Sequence, residues 1–369
     1  MNKRLYFLDN LRGIVIFMVV VLHVFLCYMK YAPSWWYVID PRQSMFFTYG
    51  VILIDVPIMP IMFFIAGYFS LSSLQKHGVY EFWAAKFRRI IIPWVLGVFF
   101  LAPPSMYMIL LSRGKAPASY IEFWFGQFWK TMFSQSVFWF LGLLTLCYLI
   151  LTVSYKFIGS LQNIKREAKK PSVMLSVLFI AVTSGIFLGM NQFFAVDKWV
   201  TDYYIIIFQP VRVFLYFLYF GLGVLAWKRR WFETSGFMPK IIPWSVLFFV
   251  SAIFYLNFKL MMAGRGGELA IQTGNAFGFN LFAYSAMMAG LALFQRLLNS
   301  DGSLWKSFSA SSYGIYIFHS IAVYYGAYYL LRMDASPFVK VPILLSASII
   351  ICWALTVLLK KSRIISRII

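Results

Sequence analysis

Long apolar runs separated by short polar and basic segments are the dominant pattern of this chain. Many runs reach the roughly 20 residues that a helix needs to cross a hydrocarbon layer about 30 Å thick. Backbone groups in lipid must be hydrogen-bonded internally, and barrel strands need only about 9–11 residues, so runs of this length predict helices. The pattern therefore predicts an all-α polytopic membrane protein with about ten transmembrane helices, at residues 11–30, 46–73, 90–111, 136–158, 172–191, 205–227, 241–262, 276–294, 310–331 and 341–359.

Composition indicates one membrane domain. Of the 369 residues, 62% are hydrophobic and 12% are charged, whereas soluble domains have about 45–50% apolar and about 25% charged residues. No stretch is polar and long enough to form a separate soluble domain, so residues 1–369 are predicted to be a single integral membrane domain. The basic N-terminus resembles a signal peptide, but no small-residue cleavage site follows, so we interpret it as a retained first span.

The distribution of basic residues predicts the orientation. The net charge is +21, which in a soluble protein would suggest nucleic acid as a partner. Here Lys and Arg gather in the short segments between spans. With a cytoplasmic N-terminus, 21 of them lie inside and 10 outside, while Arg12 and Arg212 fall within spans. This bias predicts that both termini are cytoplasmic and that no nucleic acid is bound.

Two features modify the simple helical pattern. Asp55, Pro57 and Pro60 interrupt the second predicted span, where we expect a kink or a re-entrant break. The glycine-rich stretch 263–275 predicts a mobile outer loop. We find no convincing internal repeat, and this counts against a transporter built from inverted repeats.

The first span contains an unusual pair of polar residues, Arg12 and His23. Eleven helical steps end about 20° past three full turns, so both side chains share one face, roughly 16 Å apart along the axis. Arg12 can reach the cytoplasmic surface and pair with Asp9, three residues before it. His23 lies too deep for that, and two interpretations remain open: a structural hydrogen bond to a neighbouring helix, or a functional role.

Five segments of the chain resemble the acyltransferase 3 family, whose hallmark is an Arg and a His separated by ten residues. The first contains Arg12 and His23, and the others follow in the family's order. Many members carry Ser where this chain has Ala66, and the hydrogen bond of that Ser is lost or replaced here. The matching segments are LDNLRGIVIFMVVVLH (8–23), FFIAGYF (63–69), KFRRIIIPW (86–94), WFLGLLTLCY (139–148) and SYGIYIFH (312–319).

The resemblance implies a multi-pass enzyme of the bacterial inner membrane. Family members usually move an acyl group, such as acetyl or succinyl, from cytoplasmic acyl-coenzyme A to a hydroxyl of an extracytoplasmic glycan or lipid-linked saccharide. Acyl-coenzyme A would be a co-substrate, and no permanently bound cofactor is expected. The partners would be the donor, the saccharide acceptor and membrane lipids.

Roles for individual residues follow from this chemistry. Phosphates favour the planar fork of arginine, so Arg12, Arg88 and Arg89 are predicted to bind the donor. The alternative for Arg88 and Arg89 is that they only orient the third span. His23 is predicted to be the general base, because histidine titrates near the operating pH.

Other polar and aromatic residues are secondary candidates, each with a simpler structural alternative. Asp55 can orient His23 or bind the acceptor, and Arg212 either contacts substrate or faces the bundle interior. His319 is a second candidate acid or base, or a packed, hydrogen-bonded histidine. Trp35 and Trp36 belong either to the interfacial aromatic belt or to a platform that stacks on a sugar.

Motifs for other chemistry are missing from the sequence. There is no G-x-S-x-G elbow, no H-E-x-x-H motif and no P-loop. Three histidines without paired carboxylates make a poor ligand set, so no metal is predicted. The three cysteines lie in apolar runs and are expected to pack rather than to form disulfides.

Two other functional hypotheses remain. A transporter or flippase for a glycan or anionic substrate would line its path with Arg12, Asp55, Arg212 and His319. An inactive relative could instead serve as a membrane sensor or assembly partner. Binding of coenzyme A distinguishes the acyltransferase from both. The sequence leaves open the acyl group, the acceptor, the oligomeric state, the partner of His23 and whether an acyl-enzyme forms.

Overall fold

The computed structural model describes residues 5–162, 166–201, 204–233, 236–300 and 302–369, where helices dominate and the only β pairing is two isolated bridges. Three cationic residues of the charge bias, Lys3, Arg4 and Lys165, lie outside these ranges, as does the side chain of Lys306. The long helices are α1 (Tyr6–Tyr28), α2 (Met45–Lys86), α7 (Trp139–Phe157), α9 (Val173–Asn191), α10 (Pro210–Lys228), α11 (Ile241–Arg265), α12 (Leu269–Leu297), α13 (Ser303–Leu330) and α14 (Pro337–Leu359).

Shorter elements complete the chain. The segment that follows α2 alternates between π-helical and α-helical turns. The short elements are a π-helix (Phe87–Ile91), α3 (Ile92–Leu96), a π-helix (Gly97–Leu101), α4 (Ala102–Leu111), α5 (Tyr120–Glu122), a π-helix (Phe123–Gln127), α6 (Phe128–Thr131), a 3₁₀ turn (Ser136–Phe138), α8 (Gly159–Gln162) and a final 3₁₀ turn (Ile365–Arg367).

Eight helical stretches in the described residues are long and apolar enough to cross a membrane. One of them, Met45–Leu111, has 67 residues, about 100 Å of helix, which exceeds a single crossing of a bilayer. α13 occupies the predicted ninth span but is not among the eight. The chain is therefore an all-helical multi-pass membrane protein, while the count of ten spans and the cytoplasmic position of both termini stay predictions.

The expected break in the second span is wrong in its position. α2 continues through Asp55, Pro57 and Pro60, and its non-helical residue is Gly78, with φ 76° and ψ 174°. Membrane helices tolerate proline because neighbouring groups satisfy the backbone carbonyls that it frees. Glycine adopts a positive φ without a Cβ clash, so the direction of the chain changes at Gly78 instead.

The predicted glycine-rich outer loop is also shorter than expected. α11 continues to Arg265, and α12 begins at Leu269. Arg265 donates from Nε to Oε1 of Glu268 over 2.6 Å and closes the turn between the two helices. Most of residues 263–275 is therefore helical.

Burial separates central helices from peripheral ones. Most of α1 and α12 is buried, and both contribute to one large apolar core that extends from Phe7 to Cys352. α11 buries only Ser251 and Tyr255 among its described residues. Its outward side chains are large and apolar, as expected for a surface that faces lipid; examples are Val246, Phe249, Val250 and Ile253.

Two glycines bring the backbones of α2 and α10 into direct contact. A Cβ on Gly67 would lie 2.0 Å from the carbonyl oxygen of Phe220, and a Cβ on Gly223 would lie 2.1 Å from that of Phe64. Small residues allow this close approach between membrane helices. Gly67 belongs to the FFIAGYF segment noted in the sequence, so the segment has a packing role.

Candidate active site

His23 is fixed on α1 by its own helix. Its Nδ1 lies 2.7 Å from the carbonyl oxygen of Val19, one turn earlier. A carbonyl oxygen only accepts hydrogen bonds, so Nδ1 carries the hydrogen and Nε2 keeps a lone pair. α1 is continuous from Tyr6 to Tyr28, which places His23 on the same face as Arg12, as predicted, about 16 Å away.

A cavity of about 520 Å³ opens beside His23. This volume lies within the range of about 300–1,000 Å³ that is typical of small-molecule sites. Its walls come from segments that the predicted topology places at the outer surface, together with α1, α2, α4, α7 and α13. The residues that line it include Val19, His23, Trp35, Trp36, Tyr37, Met59, Met106, Ile109, Phe133, Ser134, Ser136, Trp139, Asp197, Lys198, Trp199, Tyr316 and Tyr324.

Aromatic rings form the wall around the histidine. Trp36 is only 4% exposed, and its ring centroid lies 5.6 Å from that of His23. Tyr37 stacks on Tyr324 with centroids 3.9 Å apart and planes 13° apart. Trp35 remains 46% exposed at the rim. Both tryptophans therefore lie in the cavity wall, and whether they stack on a sugar stays a prediction.

His319 lies against His23. The two ring centroids are 4.9 Å apart and the planes meet at 80°. The Nδ1 of His319 is 2.7 Å from the carbonyl oxygen of Tyr316, and its Nε2 has no hydrogen-bond partner among the described residues. The sequence named both histidines but gave no reason to place them together, because α1 and α13 are nearly 300 residues apart.

Asp55 and Arg212 pair with each other. Nη1 of Arg212 donates to Oδ2 of Asp55 over 2.6 Å, and Arg212 is only 8% exposed. Its guanidinium also lies 5.3 Å from the centroid of the Phe279 ring. The Nδ1 hydrogen of His23 goes to the carbonyl of Val19, so the backbone orients the ring. The roles expected for Asp55, toward His23 or the acceptor, stay predictions.

The described residues contain no group of three or more His, Cys, Asp or Glu side chains that could hold a metal ion. The three cysteines, Cys27, Cys147 and Cys352, are buried free thiols. The polar groups of the cavity wall are the imidazole of His23, several indoles and hydroxyls, the carboxylate of Asp197 and the ammonium of Lys198.

Comparison with known proteins identifies the family. The profile of the Acyltransferase domain (acyltransferase 3) family matches residues 5–357. The chain belongs to this family. It is therefore an acyltransferase, and its helices make it a membrane acyltransferase.

Named relatives of this acyltransferase come from Escherichia coli. The chain is 25% identical over 340 residues to glucans biosynthesis protein C of strain O1:K1, which covers 88% of this chain and 84% of the relative. It is 25% identical over 337 residues to the protein of the same name from strain K12, with the same coverage. No solved structure matches the chain.

The three arginines predicted to bind the donor are not among the residues that line the cavity. Arg12 pairs with Asp9 at 3.1 Å and keeps 39% of its side chain exposed. Arg88 and Arg89 are exposed on the π-helical turn after α2. The hydroxyl of Tyr313, on α13, donates to the carbonyl oxygen of Arg89. Their roles in binding remain predictions.

Arg113 anchors the loop that covers the histidine, and the sequence gave no indication of this role. Its Nη2 donates to the carbonyl oxygens of Ser34 and Trp36 over 2.7 and 2.8 Å, and its Nη1 to that of Ile109 over 2.7 Å. Backbone carbonyls leave no trace in a sequence pattern, so only the folded structure reveals these contacts.

Tyr37 lies in the loop that Arg113 anchors, next to Trp36. Burial raises the pKa of Tyr37 above its ordinary value. Its hydroxyl therefore stays neutral and donates to Oγ of Ser136 over 3.2 Å. This bond connects the loop after α1 with the start of the segment that enters α7.

Proposed function

We propose that this acyltransferase moves an acetyl or succinyl group from cytoplasmic acyl-coenzyme A to a hydroxyl of an extracytoplasmic glycan or lipid-linked saccharide. The reaction takes place in the bacterial inner membrane, with the acceptor in the cavity beside His23. One observation carries the proposal: the bond from Nδ1 of His23 to Val19 leaves Nε2 as a proton acceptor in the cavity wall.

His23 acts as the general base. Its Nε2 takes the proton of the acceptor hydroxyl while the hydroxyl oxygen attacks the thioester carbonyl carbon. A C–O bond forms, the C–S bond breaks, and the thiolate of coenzyme A takes the proton back from His23. Proton transfer of this kind contributes about 10²–10⁴-fold to a rate. The Val19 carbonyl holds the ring and accepts from Nδ1 in both protonation states.

The donor binds from the opposite end of α1. Arg12, Arg88 and Arg89 hold its phosphates, which is supported by their exposure and by the preference of phosphate for arginine. The roughly 16 Å between Arg12 and His23 is spanned by the pantetheine arm, which brings the thioester to the imidazole. The donor is a co-substrate and leaves as coenzyme A.

The acceptor is a saccharide. Trp35 at the rim offers an exposed ring on which a sugar stacks, and Trp139 and Trp199 lie in the same wall. The name of the relatives from Escherichia coli refers to glucan biosynthesis, which favours a glucan. Lys198 is the cation of the cavity wall and a contact for a succinyl carboxylate.

An assay in inside-out vesicles tests the proposal. Labelled acetyl- or succinyl-coenzyme A is supplied separately with native acceptor-bearing membranes, and free coenzyme A and labelled glycan are both measured. The variants are His23→Ala and, as a matched control, His77→Ala at an exposed position of α2.

We expect the wild type and His77→Ala to transfer label, and His23→Ala to bind donor without transferring it. Failure of the wild type to bind or consume either donor would overturn the donor assignment. Full activity of His23→Ala would overturn its role as the base.

A further inference from the structure

The two histidines differ in their relation to the cavity. His23 lines it, whereas His319 is 0% exposed. The centroid distance of 4.9 Å and the angle of 80° describe an edge-to-face contact between the rings. Any charge that forms on His23 therefore forms beside the imidazole of His319, inside the bundle.

Hydrogen bonds fix where the hydrogens of both rings lie. Each Nδ1 is 2.7 Å from a carbonyl oxygen of its own helix, that of Val19 for His23 and that of Tyr316 for His319. Each Nδ1 therefore carries a hydrogen, and each Nε2 has a free electron pair in the neutral state. In the neutral state neither Nε2 carries a hydrogen, so the two Nε2 atoms cannot hydrogen-bond to each other.

The Nε2 of His319 is one of twelve buried side-chain atoms without a hydrogen-bond partner among the described residues. It belongs to the ring that packs against His23. A buried acceptor without a partner is unfavourable, and a catalytic role is one of the explanations for such a group in a native protein. A histidine that only packs would gain nothing from this lone pair.

We propose that His319 is a positioning residue that stabilises the protonated form of His23. When His23 takes the hydroxyl proton, it becomes a positively charged imidazolium beside the neutral ring of His319. The Nε2 electron pair of His319 stabilises that charge in a low-dielectric environment. This inference rests on the proposed function, in which His23 is the base.

The proton balance of the reaction is unchanged by this role. The hydroxyl proton passes to His23 and leaves with the thiolate of coenzyme A, as the C–O bond forms and the C–S bond breaks. His319 begins and ends the cycle neutral. No further reactant is needed.

Three substitutions distinguish the effect of the Nε2 electron pair of His319 from the effect of packing its ring. His319→Asn places an amide N–H near the Nδ1 position, where it can donate to Tyr316, but removes the second acceptor. His319→Gln places an amide oxygen near the Nε2 position and restores an acceptor. His319→Phe keeps an aromatic ring without any acceptor. All three are compared in full-length protein in vesicles, with the donor that the wild type consumes.

We expect His319→Asn and His319→Phe to lower kcat on the order of 100-fold, the lower end of acid–base effects, with the donor KM unchanged. His319→Gln should recover at least a tenth of the wild-type kcat. Thermal unfolding in detergent identifies any variant that fails to fold. If His319→Asn or His319→Phe fails, the other is compared with His319→Gln; if His319→Gln fails, full activity of the other two variants still overturns the inference.

The inference is overturned if the glutamine and phenylalanine variants have the same kcat, or if KM rises while kcat is unchanged. His23→Ala is measured in parallel. If His23→Ala is active, the proposed function fails. If His23→Ala is inactive but His319→Asn and His319→Phe are fully active, only the role of His319 fails.

Discussion

Oδ2 of Asp40 and Nζ of Lys340 lie 2.6 Å apart, and both side chains are almost fully buried. The pair joins the outer loop after α1 to the first turns of α14, 300 residues away in sequence. The other carboxylate oxygen of Asp40 accepts from the backbone N–H of Arg42 over 2.8 Å. One carboxylate thus ties the loop over the cavity to the far end of the chain.

Removal of one partner of this pair should be strongly destabilising. Lys340→Met leaves the carboxylate of Asp40 buried without its cation, which costs about 3–5 kcal/mol. The double variant Asp40→Asn, Lys340→Met removes both charges and should recover most of that loss. Unfolding in detergent, induced by heat or by denaturant, measures the stability of both variants. Equal stability of the wild type and Lys340→Met would show that the pair contributes little.

Arg113 should control how the acceptor binds. Arg113→Met removes the guanidinium that holds the carbonyls of Ser34 and Trp36. Hydrogen bonds to a charged group are worth about 1.5–3 kcal/mol, so we expect the acceptor KM to rise about tenfold or more, with the donor KM unchanged. Lys115→Met, at an exposed neighbouring position, is the control. An equal effect of both variants on the acceptor KM would contradict the anchoring role.

Two glycines on α10 should respond differently to alanine. A Cβ on Gly223 would meet a carbonyl oxygen of α2 at 2.1 Å, whereas no described atom lies within 4 Å of a Cβ on Gly221. Gly223→Ala should lower stability by about 1–3 kcal/mol through overpacking. Gly221→Ala should be neutral or slightly stabilising, because alanine favours helix. Thermal unfolding of the two variants, side by side, measures the difference, and a neutral Gly223→Ala would disprove the close contact.

Glu233 should make the folded state less stable as pH falls into the acidic range. Burial raises the pKa of Glu233, but hydrogen bonds from Arg230 and Arg166 outweigh it, so the pKa is lowered from its ordinary value of 4.5. Because the folded-state pKa is depressed, the stabilisation is complete above the ordinary pKa and is lost as pH falls through the folded-state pKa. Melting temperatures of the wild type and Glu233→Gln, measured from pH 7 to pH 3, should converge as pH falls. A constant difference would contradict this.

Local periodicity predicted the parts of the site that lie within one helix. Arg12 and His23 share a face because helical geometry fixes residues eleven apart, and α1 is continuous between them. The expected break at Pro57 and Pro60 failed because the packed bundle tolerates proline there. The sequence pattern of one helix does not show how neighbouring helices pack against it.

Contacts between distant segments were beyond the sequence. Nothing in the apolar pattern places His319 against His23 or pairs Asp55 with Arg212, since both depend on how helices pack. The Val19 carbonyl was missed for another reason: every residue has one, and only the rotamer of His23 selects it. The sequence therefore named most polar groups of the site and the local pair of Arg12 with Asp9, but not the partners that come from distant segments.

The glycine contact between α2 and α10 has a mechanical consequence. Gly67 lies against the backbone of α10, and Gly223 lies against that of α2. If one helix slid along the other, residues with a Cβ would be brought against these backbone carbonyls and would clash. The two helices behave as one rigid body. Any motion that admits a large saccharide to the cavity must therefore leave α2 and α10 fixed against each other, and must occur in the parts of the wall that this contact does not hold, such as the outer loops.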